Sequence, residues 1–316
     1  MNRFFPFQAT MFCSLFFLSI DVFSDTSKTL YTGLTYTNNL EVQADTDIQG
    51  NQSSLTREGI VTGLSFIKQS LDYTGGYTFQ ADASFNKGFT SDTDISRFVL
   101  SASTLSALNP DWLWRNTISL NHYDNEALTS NSYKGLLLGT TFGYLNNVGG
   151  GSDISFSLKQ EKHDQVDVNN EAYDTTRSNL TFIHYFPHKK DAPYWNFNTA
   201  LKSNNASDKQ RKYDSTMLGI NYKQWTLASF DGQIGINWQQ DRYDQTAFAL
   251  PNQMGGMNAT GKKRKDTLYV VSLQLGKTLT PSIALQFSAG FGEYDSTSSA
   301  DAERFYRFST HLTWRF

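Results

Sequence analysis

The run Phe305-Tyr-Arg-Phe-Ser-Thr-His-Leu-Thr-Trp-Arg-Phe316 changes character at every second residue. Tyr306, Phe308, Thr310, Leu312, Trp314 and Phe316 fall on one side. Arg307, Ser309, His311, Thr313 and Arg315 fall on the other. Successive side chains of a β-strand point to opposite faces, so this segment is a strand with one apolar wall and one wet wall.

The same period of two recurs upstream, in segments bounded by polar connections. The apolar sets run Leu30–Tyr36, Ile60–Phe66, Tyr77–Phe85, Phe98–Ala102, Trp112–Leu120, Leu136–Tyr144 and Ile154–Leu158. They continue with Leu180–Phe186, Trp195–Leu201, Leu218–Tyr222, Phe230–Trp238, Tyr269–Leu275 and Ile283–Phe291. With the terminal run this makes about 14 strands. The connections near 68–72, 106–111, 146–151, 187–193, 223–228 and 277–281 are short. Those near 39–57, 87–96, 123–132, 161–175, 203–212, 241–265 and 294–304 are mostly longer and more charged. Pro110, Pro187, Pro193 and Pro281 fall in the short set and Pro251 in a long loop, so no proline removes a ladder donor from a strand. Trp112, Trp114, Trp195, Trp225 and Trp314 gather near the short turns, whereas Trp238 lies toward the long loops.

The chain has 316 residues, of which 15% are aromatic, although its mean hydropathy is polar. A formal charge of −3 and the lack of any arginine-rich helix argue against nucleic acid. No apolar run after the N-terminus reaches the length of a membrane helix. Residues 1–24 read as a cleaved signal peptide: Arg3 begins it, Phe12–Ile20 form its apolar middle, and Val22 and Ser24 precede the cut before Asp25. The only cysteine, Cys13, lies inside it, so residues 25–316 would carry no disulfide.

A terminal strand ending in Phe316, even strand number and alternating short and long connections resemble the β-barrels of the bacterial outer membrane. The resemblance implies an all-β fold, a transmembrane antiparallel up-and-down barrel. Its termini and short turns would be periplasmic, its long loops external, and its tryptophans part of interfacial girdles. It also implies that Phe308, Leu312, Trp314 and Phe316 form the signal read by the barrel-assembly machinery, and that lipid and lipopolysaccharide surround the chain. The closing stretch, with TLTPSIALQFSAGF, YDST and the final Trp-Arg-Phe, is further similar to the barrels of surface lipoprotein assembly modifiers. That similarity carries an export barrel for a polysaccharide or lipoprotein as the alternative function.

The parity opposite the apolar set carries Asp82, Arg97, Arg115 and Lys159, then Arg177, Lys202, Arg307 and Arg315. Between them stand small polar residues such as Ser101, Thr117, Ser155, Asn196, Asn198 and Asn237. A lumen lined in this way is expected to pass small hydrophilic solutes and, being mildly basic, to favour anions. If instead these charges pair with one another, they only stiffen the wall. The longest loop, Asp241 to Lys265, holds Met254-Gly-Gly-Met257 and Lys262-Lys-Arg-Lys265. It would either fold into the bore or meet lipopolysaccharide phosphates. Acidic loops with Asp164, Asp167, Glu171 and Asp174, and with Glu41, Asp45 and Asp47, are candidate cation holders or plain solvated loops. No catalytic constellation, cofactor loop or metal-ligand spacing appears: Pro187 separates His184 from His188, and His122 and Asp124 merely share a strand face.

Overall fold

The computed structural model describes residues 26–37, 58–72, 75–89, 94–125, 132–146, 150–163, 174–189, 192–206, 212–227, 229–251, 257–297 and 303–316. The expected signal peptide and the loops carrying Glu41, Asp45, Asp47, Asp164, Asp167 and Glu171 lie outside them. Among the described residues the regular elements are β1 (Thr26–Thr37), β2 (Glu58–Asp72), β3 (Gly75–Gly88), β4 (Ile95–Asn109), β5 (Trp112–Asn125), β6 (Tyr133–Leu145) and β7 (Gly151–His163). They continue as β8 (Thr175–Tyr185), β9 (Tyr194–Ala206), β10 (Tyr213–Leu227), β11 (Phe230–Pro251), β12 (Met257–Thr280), β13 (Ile283–Ser296) and β14 (Glu303–Arg315).

Each strand pairs antiparallel with its sequence neighbours, and β14 returns to β1, from Thr29 opposite Arg315 to Thr37 opposite Arg307. The sheet therefore closes into a 14-stranded cylinder. Closure satisfies the edge N–H and C=O groups that lipid cannot hydrogen-bond. Both ends of the cylinder's chain path, Thr26 and Phe316, lie at one rim. So do the short connections between β4 and β5, β10 and β11, and β12 and β13.

The outward parity is apolar and uncovered. Ile118, Leu138, Ile154, Leu201 and Ile236 all stand exposed, Leu138 at 48% and Ile236 at 58%. These residues meet across strands: Leu138 lies opposite Ile118 on one side and Leu158 on the other. The result is a continuous apolar belt, which in water would be a large penalty and in lipid is the natural boundary. Phe66, also on the outward parity, is 2% exposed and packs edge-on against Phe79. Near the turn-bearing rim, Trp112 packs on Tyr144 at 5.1 Å, Trp114 stacks on Phe142 at 5.7 Å and Trp195 meets Tyr222 at 4.8 Å. Trp114 Nε1 donates to Thr140 Oγ1 at 2.8 Å. At the other rim Tyr36 stacks on Phe308.

Strands run further than the apolar alternation indicated. The expected turn at 223–228 is strand up to Leu227, with a bulge where Lys223 faces Gln233 and Trp225 faces Gly232. Lys223 points inward, so without the extra residue Trp225 would too. Gln224, at φ 59°, turns Trp225 to the outer face, where its ring covers Gly232 so closely that a Cβ there would stand 2.3 Å from it. An L-residue in that left-handed region costs roughly 1–2 kcal/mol. Glycine relieves this but adds roughly 0.4–1 kcal/mol of unfolded-state freedom. Gln224→Gly is therefore expected to stabilise by about 0.5 kcal/mol, read as a higher urea midpoint for unfolding from lipid vesicles. A lower midpoint would show that the Gln224 side chain matters more than its backbone.

The expected loop from Asp241 to Lys265 is mostly a strand hairpin. β11 and β12 stay paired through Arg242–Lys265, Thr246–Lys263, Phe248–Ala259 and Pro251–Met257, with irregular register. Pro251 is thus the last residue of a strand rather than part of a loop. Beyond the membrane there is no apolar face to build, so pairing continues after the hydrophobic period has stopped.

Candidate functional site: the inner wall

Parity alone places Asp82, Arg97, Arg115, Lys159, Arg177, Lys202, Arg307 and Arg315 on the inward faces of β3, β4, β5, β7, β8, β9 and β14. They do not act as one ring. Asp82 accepts a hydrogen bond from Gln80 Nε2 at 2.7 Å. Arg307 lies flat against Gly290, its Nε 2.8 Å from where a Cβ would stand. Arg115 and Arg315 are exposed near the turn-bearing rim.

Lys159 and Arg177, by contrast, are tied to a residue that the sequence reading left in a loop. Glu161 is the second inward residue from the loop end of β7, and its side chain is 0% exposed. Lys159 Nζ approaches one carboxylate oxygen at 2.6 Å and Arg177 Nε the other at 3.1 Å. Thr175 Oγ1 donates to Glu161 at 2.9 Å, and Lys159 also donates to Tyr133 Oη at 2.8 Å. His163 Nε2 lies 3.8 Å away. These two cations therefore share one counter-charge at the wall.

A second inward cluster sits near the loop-bearing end of β12. Asp266 accepts from Arg264 Nη2 at 2.6 Å, from Ser296 Oγ at 2.6 Å and from the Tyr294 hydroxyl. Arg264 also lies over the Tyr243 ring at 4.3 Å. The basic run Lys262-Lys-Arg-Lys265 is thereby split by the strand period: Arg264 turns inward to Asp266, while Lys263 meets Asp244 at 3.4 Å. Arg264 and Lys263 therefore lie on opposite faces of the strand.

The wall is less uniformly small and polar than expected. Val61, Tyr133, Met217, Leu268, Val270 and Phe305 are inward and buried, most of them toward the loop-bearing rim. Gln69, Gln274 and Gln286 are inward and exposed toward the opposite rim. Inward side chains thus crowd one end of the cylinder and leave the other open to water. Between them, β9 to β11 carry the uncharged amides Asn196, Asn198, Asn221 and Asn237.

The histidine candidates do not converge. His184 Nδ1 bonds Ser152 Oγ at 2.9 Å, and His188 stacks on Tyr194 at 4.2 Å. His122 and Asp124 are exposed on the outer parity. Among the described residues no group of three histidine, cysteine or acidic side chains is placed to hold a metal ion.

A closed up-and-down cylinder, an uncovered apolar belt and charges turned inward define an outer-membrane β-barrel, associated with lipid over its outer face. No protein-family model matches the chain, and no curated protein does. Among solved structures, in-vitro folded OmpT of Vibrio cholerae is 8% identical, with 92% of this chain and 97% of that one covered and a TM-score of 0.49. The NanC porin is 9% identical, covering 90% and 98%, with a TM-score of 0.42. CdiB from Acinetobacter baumannii is 10% identical, covering 92% of this chain and 60% of that one, with a TM-score of 0.47. Likenesses this distant carry no argument about function.

Proposed function

We propose that the barrel is a channel for small hydrophilic solutes, with a lumen that favours anions. The observation behind this is the inward set of charges. Glu161 and Asp266 hold Lys159, Arg177 and Arg264, yet among the described side chains Arg97, Arg115, Lys202, Lys223, Arg307 and Arg315 remain against Asp82, Asp153, Asp231 and Asp241 as the other inward acids. An excess of fixed cations along a polar wall raises the local concentration of anions. Purified protein in a planar bilayer is expected to give steady ohmic current steps. In a salt gradient the reversal potential should shift toward that of chloride. Folded protein that gives no steps would overturn the channel reading and favour a closed wall, which the crowding of Val61, Met217, Leu268 and Phe305 would then explain.

The ends of the chain support a route to the membrane. Residues 1–24 serve as the signal peptide in this reading, and Phe308, Leu312, Trp314 and Phe316 present the assembly signal on the outer parity of β14. Deleting Phe316 is expected to reduce the amount of heat-modifiable barrel in outer-membrane fractions several-fold and to leave unfolded protein in the periplasm. Unchanged membrane levels would remove this role.

A further inference from the structure

The amides of β9 to β11 form a pattern that the charge argument does not use. Asn198 faces Gly219, which faces Asn237; one step along, Asn196 faces Asn221, which faces Gly235. All six are inward, and the glycines give the amides room to lie flat on the wall. A Cβ at Gly219 would stand 2.2 Å from Asn237 Oδ1 and 2.5 Å from Asn198 Oδ1; one at Gly235 would stand 2.2 Å from Asn221 Oδ1.

The bonds within this patch are unequal. Asn221 Nδ2 donates to Asn196 Oδ1 at 2.9 Å and to Asn198 Oδ1 at 3.1 Å. That fixes the Asn198 carbonyl and leaves Asn198 Nδ2 with no bond, although the residue is only 3% exposed. Asn237 Oδ1 has none either, and both atoms lie over Gly219, where a side chain would otherwise stand. A covered amide atom without a partner is destabilising, and here one such donor and one such acceptor lie over the same glycine. A carboxylate or phosphate only accepts and an ammonium only donates, whereas a hydroxyl does both.

We propose that the β9–β11 wall is a binding subsite for hydroxyl-rich, uncharged solutes of the sugar class, with Asn198 Nδ2 donating to a solute hydroxyl and Asn237 Oδ1 accepting from one. This rests on the channel reading for the solute's way in, and it names the class of solute that the bore would retain. Raffinose serves as the probe, titrated calorimetrically into the detergent-solubilised barrel and added to the same protein in planar bilayers. Asn198→Leu, Asn237→Leu and Gly219→Ala are the variants, each checked for folding by heat-modifiability. Wild-type protein should bind raffinose and show sugar-induced interruptions of current. Each variant that folds should bind about tenfold more weakly, the loss expected from about 1.4 kcal/mol. Current steps without any raffinose effect would overturn the subsite and leave the channel standing, the two amide atoms then being met by water. Binding that the variants weaken, in a protein that passes no current, would uphold the subsite and overturn the channel. Binding unchanged in all folded variants would place the sugar elsewhere and overturn the subsite.

Discussion

Leu138→Arg is expected to cost about 2–4 kcal/mol of folding stability in a bilayer, the penalty for a cation on the lipid face near mid-membrane. Leu138 lies in the middle of β6, exposed on the outer parity between Ile118 and Leu158. Its arginine would have to snorkel or draw water into hydrocarbon. Gly139→Arg is the matched control, one residue on and on the other face. No neighbour comes closer than 3.8 Å to a Cβ there, so the side chain can enter the lumen without a clash. Urea titrations from lipid vesicles, with the heat-sensitive gel shift as readout, should show a large loss for the first variant and a small change for the second. Equal losses, or a larger loss at Gly139, would mean that the two faces are assigned the wrong way round.

Glu161→Gln should produce the second large effect. The substitution keeps the shape of the side chain but leaves Lys159 and Arg177 facing each other without their shared counter-charge. Breaking a buried ion pair from one side costs roughly 3–5 kcal/mol. The lower end, about 3 kcal/mol, applies here because the Arg177 side chain keeps 30% and Lys159 16% of its surface. Replacing all three by apolar residues of similar size, Glu161→Leu with Lys159→Met and Arg177→Met, is expected to recover most of that loss, since no charge is then left uncompensated. If the barrel conducts, the Gln variant should also become more anion-selective, because one inward negative charge is removed beside two cations. A Gln variant as stable as the parent would show that the cluster contributes little to the wall.

Much of the barrel is legible in the chain because a sheet with lipid on one side and water on the other forces a strict period of two. Leu136, Leu138, Phe142 and Tyr144 can be read as one face without any coordinates, and so can the turns that separate such segments. The inward charges follow from the same parity. The reading weakens wherever that contrast is missing. Val270 and Val271 are adjacent and both apolar, so composition does not say which one leaves the lipid; β12 pairs Val271 with Phe291 and turns Val270 inward beside Phe305. Glu161 and Arg264 sit where the apolar period has already ended, which is why both pass for loop residues although each lies on a paired strand. Trp225 takes its place in the girdle only through the bulge at Gln224, and an irregularity of one residue leaves no mark in a polar stretch.

The sequence by itself determined the local pattern: which residues alternate, where the chain turns, and which face of each strand can tolerate hydrocarbon. Those are properties of a few consecutive residues and the solvent they meet. Tertiary structure decided which residues meet across strands: the clasp of Glu161 on Lys159 and Arg177, the grip of Asp266 on Arg264, and the amides laid over Gly219 and Gly235. Each depends on the register between strands and on closure of β14 onto β1, which set distances between residues that no local period can encode.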